Sequence, residues 1–272
     1  STIFPDHPYG RPTNGYISSI KNIKPRDLKN FVSQRLSRKN LKIGIVGAIR
    51  PKELALVLDT VFGNLPNSTS SWEVSRIQPH LYRNSIFINQ PYPQSSLLFA
   101  LGGVQRSSPN FYPTYILNHI FGGGVFTSRL YQEIREKRGL VYSIGSFLSP
   151  YDSSAITLIS AGTKNKNVKK VIDIIESELV KISTYGITRK ELINAKLYLT
   201  GSLPLKFSSS NQIASMLVAL QIEKLGIAYL KKRNSLINAV SLADINKMAS
   251  NILKKNNLVK VIVGNTKTPG KK

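Results

Sequence analysis

The sequence has no cysteine and few acidic residues, with 14 Asp and Glu against 38 Lys and Arg and a net charge of +24. The lack of cysteine excludes disulfides, thiolate metal ligands and a cysteine nucleophile. No uninterrupted apolar run approaches the roughly 18 residues that a membrane-spanning helix needs, so no membrane span is predicted. The first five residues lack the basic start and apolar centre of a secretory signal. Export stays undecided, because a preceding segment could carry such a signal.

The excess of basic residues raises the question of an anionic partner. Clustered Lys and Arg bind phosphates by releasing counterions, which would favour nucleic acid or acidic lipid headgroups. The lysines are scattered along the whole chain, however, and Asn and Ile are also frequent, which indicates a composition bias. This argument disfavours nucleic-acid binding, which is kept as an alternative that a salt titration of DNA binding would test.

The most informative segment runs from Gly122 to Tyr142. Its three leading glycines predict a turn, and Phe126, Leu130 and Ile134 recur every four residues as one apolar helix stripe. Gly139 predicts the end of that helix before an extended run begins. The segment therefore predicts a turn, a helix and the start of a strand.

Arg135 and Tyr142 stand seven residues apart across this helix-to-strand junction. Arg135 is predicted in the last helical turn and Tyr142 near the start of the strand, so both side chains can reach one point beside the junction. Each residue also has an ordinary interpretation. A cation at a helix end opposes the helix dipole, and a strand tyrosine can be half buried on the same face as Ile144.

The whole segment resembles the signature of the zinc-free half of the insulinase/pitrilysin family of zinc peptidases, which includes mitochondrial processing peptidase. That signature combines a Gly-rich turn with elements found here as Ser128-Arg129-Leu130, Arg135-Glu136-Lys137 and Gly139-Leu140-Val141-Tyr142. The resemblance implies that Arg135 and Tyr142 are catalytic and substrate-binding residues of a metalloendopeptidase. They would donate hydrogen bonds to the substrate carbonyl and to the developing oxyanion.

The zinc motif of that family is absent. His-x-x-Glu-His places two imidazoles and a carboxylate on one helix face, whereas this chain has only His7, His80 and His119, with no pair at ligand spacing. Alignment of the motif places Tyr115, Asn118 and His119 at the positions of the first His, the Glu and the second His. The resemblance therefore implies no metal in this chain and a zinc ion in the other half or in a partner subunit. His119 is expected to be a packed or hydrogen-bonded helix residue.

A faint internal repeat suggests the domain organisation. A shift of 217 residues aligns Ile20–Gly47 with Ile237–Gly264 at 9 identities in 28 positions. The expectation is that residues 1–66 are the end of a first, zinc-type domain, that 67–82 are a linker and that 83–272 are a second, zinc-free domain. Two unrelated helix–strand units of similar composition remain the alternative.

The predicted elements indicate an α+β fold, with a mainly antiparallel sheet covered by helices. The resemblance implies a processing-peptidase-like α/β roll. Trp72 in the linker is expected to be a docking contact. Predicted strands are Leu41–Gly47, Ser85–Gln90, Ser95–Leu101, Leu140–Ser149, Ala155–Ala161 and Leu258–Gly264; predicted helices are Lys24–Arg35, Pro51–Phe62, Phe111–Phe121, Val168–Thr184, Thr188–Gly201 and Ser210–Leu225. Thr188 with Glu191 has the spacing of a capping box, and Ser241 with Asp244 resembles the same arrangement.

The resemblance also implies partners. They are a peptide substrate and a zinc-bearing domain or subunit of the same family, fused to the chain or separate, in a homodimer or a heterodimer. Alone the chain is expected not to cleave peptides. A structural scaffold descended from the peptidase, as in respiratory-complex core subunits, is the second alternative.

Overall fold

The computed structural model describes residues 1–69, 73–82 and 84–265. Trp72 and the predicted domain start at Arg83 lie outside these residues. The chain forms two compact units. The sheet unit comprises Ser1–Gly10, Arg76–Thr200 and the chain from Arg233, and the helical unit comprises Arg11–Ser75 and Gly201–Lys232. That residues 1–66 are the end of a first copy stays a prediction.

A five-stranded sheet forms the centre of the sheet unit, in the order β1-β5-β2-β4-β3. Its strands are β1 (Asn84–Asn89), β2 (Gln94–Gly102), β3 (Val141–Pro150), β4 (Ala155–Lys164) and β5 (Val259–Gly264). Only β1 and β5 pair in parallel, while β2 with β4, β2 with β5 and β3 with β4 are antiparallel. The mainly antiparallel sheet predicted from the sequence is confirmed.

Helices flank this sheet and make up the helical unit. They are α1 (Ile17–Lys21), α2 (Pro25–Arg35), α3 (Pro51–Phe62), α4 (Phe111–Asn118), α5 (Val168–Tyr185), α6 (Arg189–Gly201), α7 (Ser210–Ile222), α8 (Ala228–Ala239) and α9 (Leu242–Ile252). No helix among the described residues combines the length and the apolar character that crossing a bilayer requires.

The core lies between one face of the sheet and helices α4, α5 and α9. Alternate residues of the central strands point into it, because successive side chains of a strand face opposite sides. Leu97, Phe99 and Leu101 of β2 are fully buried together with Ile159 and Ile262 from the neighbouring strands. The predicted helical cover of the sheet is thereby confirmed.

Capping interactions define the start of several helices. The Thr188 hydroxyl accepts a hydrogen bond from the Glu191 amide, and the Glu191 carboxylate accepts one from the Thr188 amide, which completes the predicted capping box of α6. Ser241 and Asp244 form the same arrangement at α9. These local signals were readable from the sequence because they involve residues only three positions apart.

The predicted strand Leu41–Gly47 is wrong for this structure, which shows no regular element there. The Ile43 carbonyl accepts a hydrogen bond from Gln221 Nε2 at 2.9 Å, and Gly44 lies close to the Ala214 carbonyl on α7. A strand needs a neighbouring strand to pair its backbone groups. This segment contacts a helix instead, so its apolar pattern does not become a strand.

Candidate functional site

The glycine turn lies directly against strand β3. A Cβ atom on Gly122 would stand 2.6 Å from Ser146 Oγ and 2.9 Å from Ser146 N, so no other residue fits there. Asn118 Nδ2 donates to the Ser146 carbonyl at 3.2 Å, and Ser146 Oγ donates to Asn118 Oδ1 at 2.8 Å. The turn and the end of α4 are therefore held on the edge strand of the sheet.

Two π turns occur in this region, His119–Gly123, which includes the first two of the three glycines, and Tyr131–Glu136. The helix predicted over Phe111–Phe121 is present, as α-helix to Asn118 and as π-helix from His119 to Gly123. The prediction that the next helix includes Phe126 needs correction. The second helix begins only at Arg129, because the glycine turn extends further than predicted. Phe126 consequently precedes the helix and is 68% exposed, so it does not belong to the buried stripe.

Arg135 lies near the end of the second π turn. The amide of Gly139, with φ of +58°, donates to the Arg135 carbonyl at 2.9 Å, and the Leu140 amide donates to the Ile134 carbonyl at 3.0 Å. The bond from Gly139 to Arg135 has the spacing of an αL capping motif, and it ends the helix where the glycine predicted. The Arg135 guanidinium lies 5.0 Å from the centre of the Tyr131 ring.

The guanidinium of Arg135 has no hydrogen bond or ion pair within the part of the chain that the structure describes. Its basic neighbours differ in this respect, since Lys137 and Arg138 both pair with Glu133. Arg135 is also exposed. Its hydrogen-bond donors are therefore available to a ligand.

Tyr142 occupies a bulge in strand β3. Val141 pairs with Thr163 and Ser143 pairs with Gly162, so Tyr142 is the extra residue between two successive pairs. Its side chain is 51% exposed, and its hydroxyl has no partner among the described residues. Just before the bulge, the buried Thr163 hydroxyl donates to the Leu140 carbonyl. The phenol is thus carried on a supported backbone, and its convergence with Arg135 on one point stays a prediction.

The three residues at the positions of the zinc motif make structural contacts. Asn118 holds Ser146, and Tyr115 stacks on Phe111 with ring centres 6.0 Å apart. The His119 ring stacks on Tyr198 at 5.0 Å and lines a cavity of about 340 Å³. Burial lowers the pKa of His119, which favours the neutral imidazole. No group of three or more His, Cys, Asp or Glu residues suited to a metal ion occurs in the described ranges.

Arg129 forms a contact that the sequence did not predict. Its guanidinium donates to both carboxylate oxygens of Glu191, at 2.6 and 2.9 Å, and to the Gly186 carbonyl at 3.1 Å. Burial alone would raise the pKa of Glu191, but the hydrogen bonds from Arg129 and Thr188 outweigh it and hold that pKa below its ordinary value. The sequence showed Arg129 within the signature and Glu191 as a cap, without a signal that joined them.

Sequence relatives are named zinc proteases. The chain is 28% identical over 205 residues to an uncharacterized zinc protease of Rickettsia felis, a match that covers 75% of this chain and 48% of that protein. It is 26% identical over 206 residues to the uncharacterized zinc protease YmxG of Bacillus subtilis, covering 76% and 49%. The chain thus spans about half the length of the curated relatives it matches.

Solved structures share the fold. A peptidase M16 inactive domain from Pseudomonas fluorescens superposes with a TM-score of 0.85 at 26% identity, covering 99% of this chain and 65% of that one. A protease from Helicobacter pylori gives 0.76 at 16% identity, covering 92% and 61%, which shows likeness of fold alone. The model of the peptidase M16 inactive domain matches residues 22–199, more than half of the sequence. The chain therefore belongs to the peptidase M16 inactive-domain family.

Proposed function

We propose that the chain is the zinc-free half of a metalloendopeptidase and that it supplies substrate-binding and oxyanion-stabilising groups to a zinc site on another half or subunit. Membership of the inactive-domain family and the zinc-protease names of the relatives support this proposal. The observation that carries it is the pair of exposed donors on Arg135 and Tyr142, neither of which has a hydrogen-bond partner among the residues that the structure describes. Each belongs to a backbone feature, the end of a π turn or a bulge, of a kind common at functional sites.

The chemistry of the two side chains suits this role. A guanidinium and a phenol donate hydrogen bonds, and such donors stabilise the negative charge that grows on a carbonyl oxygen during attack by water. Activation of the water requires a base or a metal ion, which the proposal assigns to the other half. The chain alone is therefore expected to bind peptide without cleaving it.

The replacement of Tyr142 by phenylalanine in the complete enzyme tests the proposal. It removes only the hydroxyl, so kcat for a fluorogenic peptide should fall by about 10²-fold or more, while folding and zinc content stay unchanged. Tyr185→Phe is the matched control, because that tyrosine is 82% exposed at the end of α5 and should leave kcat unaltered. Unchanged cleavage by Tyr142→Phe would refute the catalytic assignment.

We also propose that residues 1–66 complete a first copy of the fold, as the repeat predicts. Helices α2 and α9 cover the same span after the shift of 217 residues, and Asp27 and Asp244 both accept a hydrogen bond from the amide that precedes their helix. Identical residues nevertheless differ in burial between the copies. In three pairs the residue of the first copy is exposed and its counterpart in the second copy is buried. The exposed fractions are 53% for Ile20 and 0% for Ile237, 47% for Leu36 and 3% for Leu253, and 40% for Ile45 and 0% for Ile262.

This contrast favours a further layer of structure that covers the exposed apolar side chains of the first copy in the complete protein. In the second copy, the same apolar positions are buried against the sheet. In the complete protein, Leu41–Gly47 would then pair as a strand in the position that β5 holds here. The residues encoded upstream of Ser1 test this proposal. They should contain a sheet-forming region with His-x-x-Glu-His if the zinc half is fused, and an upstream sequence without strands would contradict it.

A structural scaffold remains the second candidate. A chain of the complex III2 structure from Candida albicans shares the fold, with a TM-score of 0.76 at 16% identity, covering 97% of this chain and 64% of that one. A scaffold would gain nothing from two exposed donors that make no hydrogen bond within the described ranges. The Tyr142→Phe comparison therefore also distinguishes the scaffold from the peptidase.

A further inference from the structure

We propose that Arg129 is a positioning residue for the Arg135 site, acting through the helix segment that both share. The inference rests on the proposed function for its catalytic consequence, while its structural part can be tested alone. Three donated hydrogen bonds from one guanidinium, to Glu191 and to the Gly186 carbonyl, carry it. A planar fork that engages both oxygens of a carboxylate constrains direction as well as distance.

The turn between α5 and α6, to which Arg129 binds, is itself held in place. Gly186 ends α5 with φ of +71°, and the Asn246 side chain packs against it so closely that an added Cβ would lie 2.4 Å from Asn246 Oδ1. The same oxygen accepts a hydrogen bond from the Ile187 amide at 2.9 Å. The turn between α5 and α6 is therefore tied to α9, and Arg129 ties the signature helix to that turn.

Apolar packing of the signature helix does not supply the same constraint. Leu130 and Ile134 are fully buried, but burial of apolar surface is non-directional and permits small rotations or shifts. From Arg129 the backbone continues through the π turn to the αL capping motif at Arg135 and Gly139. A shift at the first residue of this segment is thus transmitted to Arg135 near its end.

The catalytic consequence follows from the role proposed for Arg135. A displaced oxyanion donor weakens an interaction made in the transition state, so kcat should fall while KM changes little. A misplacement of about 1 Å can cost on the order of 10²-fold in rate. Arg129→Met is therefore expected to lower kcat by about 10- to 100-fold with KM within about twofold. Arg129→Lys should lie between Arg129→Met and the wild type, because an ammonium keeps the charge but cannot engage all three oxygens.

The experiment combines peptide-cleavage kinetics with amide hydrogen exchange on the complete enzyme. Lys169→Met is the matched control, since it breaks an exposed ion pair with Asp173 on α5 in the same unit. In Arg129→Met, the amides of Lys137, Gly139 and Leu140 should exchange faster, because their hydrogen bonds close the π turn and the end of the helix. The control should leave these three amides and kcat unchanged.

The possible outcomes separate the two proposals. Faster exchange only near the start of α6, with exchange at residues 137–140 unaltered, would overturn the positioning role and leave Arg129 as a support of α6. Faster exchange at 137–140 with unchanged kcat would also overturn it as a catalytic positioning residue. If the wild-type enzyme cleaves no peptide, the proposed function fails, and the exchange data still decide whether Arg129 positions the segment.

Discussion

Two glycines with positive φ give a matched test of how the backbone around the site is built. Gly139 has φ of +58° and Gly186 has φ of +71°, but an added Cβ would meet nothing within 4 Å at Gly139. At Gly186 it would lie 2.4 Å from Oδ1 and 2.5 Å from Cγ of Asn246. Alanine substitution therefore measures the backbone cost alone at the first position and the backbone cost with a collision at the second.

The expected magnitudes follow from these environments. Gly139→Ala should lower the free energy of unfolding by about 1–2 kcal/mol, the cost of a side chain in the left-handed region. Gly186→Ala should lower the free energy of unfolding by about 1–3 kcal/mol more than Gly139→Ala does, because a displaced Asn246 leaves the Ile187 amide without its acceptor. In an Asn246→Ala background the colliding atoms are absent, so Gly186→Ala should then cost less than it does in the wild type. A backbone cost remains, because φ of +71° with ψ of −156° is a conformation that is essentially confined to glycine.

Urea unfolding, monitored by circular dichroism, gives the free energy of unfolding of all four variants, which are the three single variants and the double variant at positions 186 and 246. The double-mutant cycle should give a coupling energy of about 1 kcal/mol or more between positions 186 and 246. Equal losses for Gly139→Ala and Gly186→Ala, or additive effects of the changes at 186 and 246, would refute the collision argument. The tie between the α5–α6 turn and α9, on which the anchor of Arg129 depends, would then also be in doubt.

The buried ion cluster of the sheet unit gives the remaining predictions. Glu176 accepts from Lys260 at 2.5 Å and from Lys255 at 2.7 Å. Glu176→Gln should therefore cost about 3–5 kcal/mol in urea unfolding by leaving Lys260 buried without a counter-charge, whereas Lys260→Met should cost far less because Glu176 keeps Lys255. Burial alone would raise the pKa of Glu176, but both lysines outweigh it and hold that pKa below its ordinary value. Stability from this group is thus fully present above the ordinary glutamate pKa and is lost as pH falls toward the lowered one, and Glu176→Gln should flatten that part of the pH profile.

Much of the sheet unit could be predicted from the sequence. Period-two patterns and turn residues placed the strands within a few residues of their observed ends, and the capping boxes at Thr188 and Ser241 were read from pairs three positions apart. These signals are local, so a single sequence contains them in full. Helix α8 (Ala228–Ala239) was not predicted.

Long-range contacts explain what the sequence did not predict. The segment Leu41–Gly47 has a strand pattern, but a strand forms only where another offers its backbone. The stripe that began at Phe126 was wrong because the glycine turn packs on Ser146, 24 positions beyond Gly122, and delays the helix to Arg129. Periodicity cannot show where such a distant contact ends an element.

The same reasoning applies to the proposed site. The resemblance of the whole segment to the family signature identified Arg135 and Tyr142, but their setting depends on partners outside the signature. Glu191 lies 62 positions from Arg129, and Thr163 lies 23 positions from Leu140. A chain with the same signature that lacked these partners would present the same two side chains on differently placed backbones. A donor that must meet a growing negative charge tolerates little displacement. A search for catalytically competent members of this family by the signature alone would therefore accept chains that lack the supporting contacts. The signature together with the Arg129–Glu191 and Thr163–Leu140 contacts is the more selective criterion.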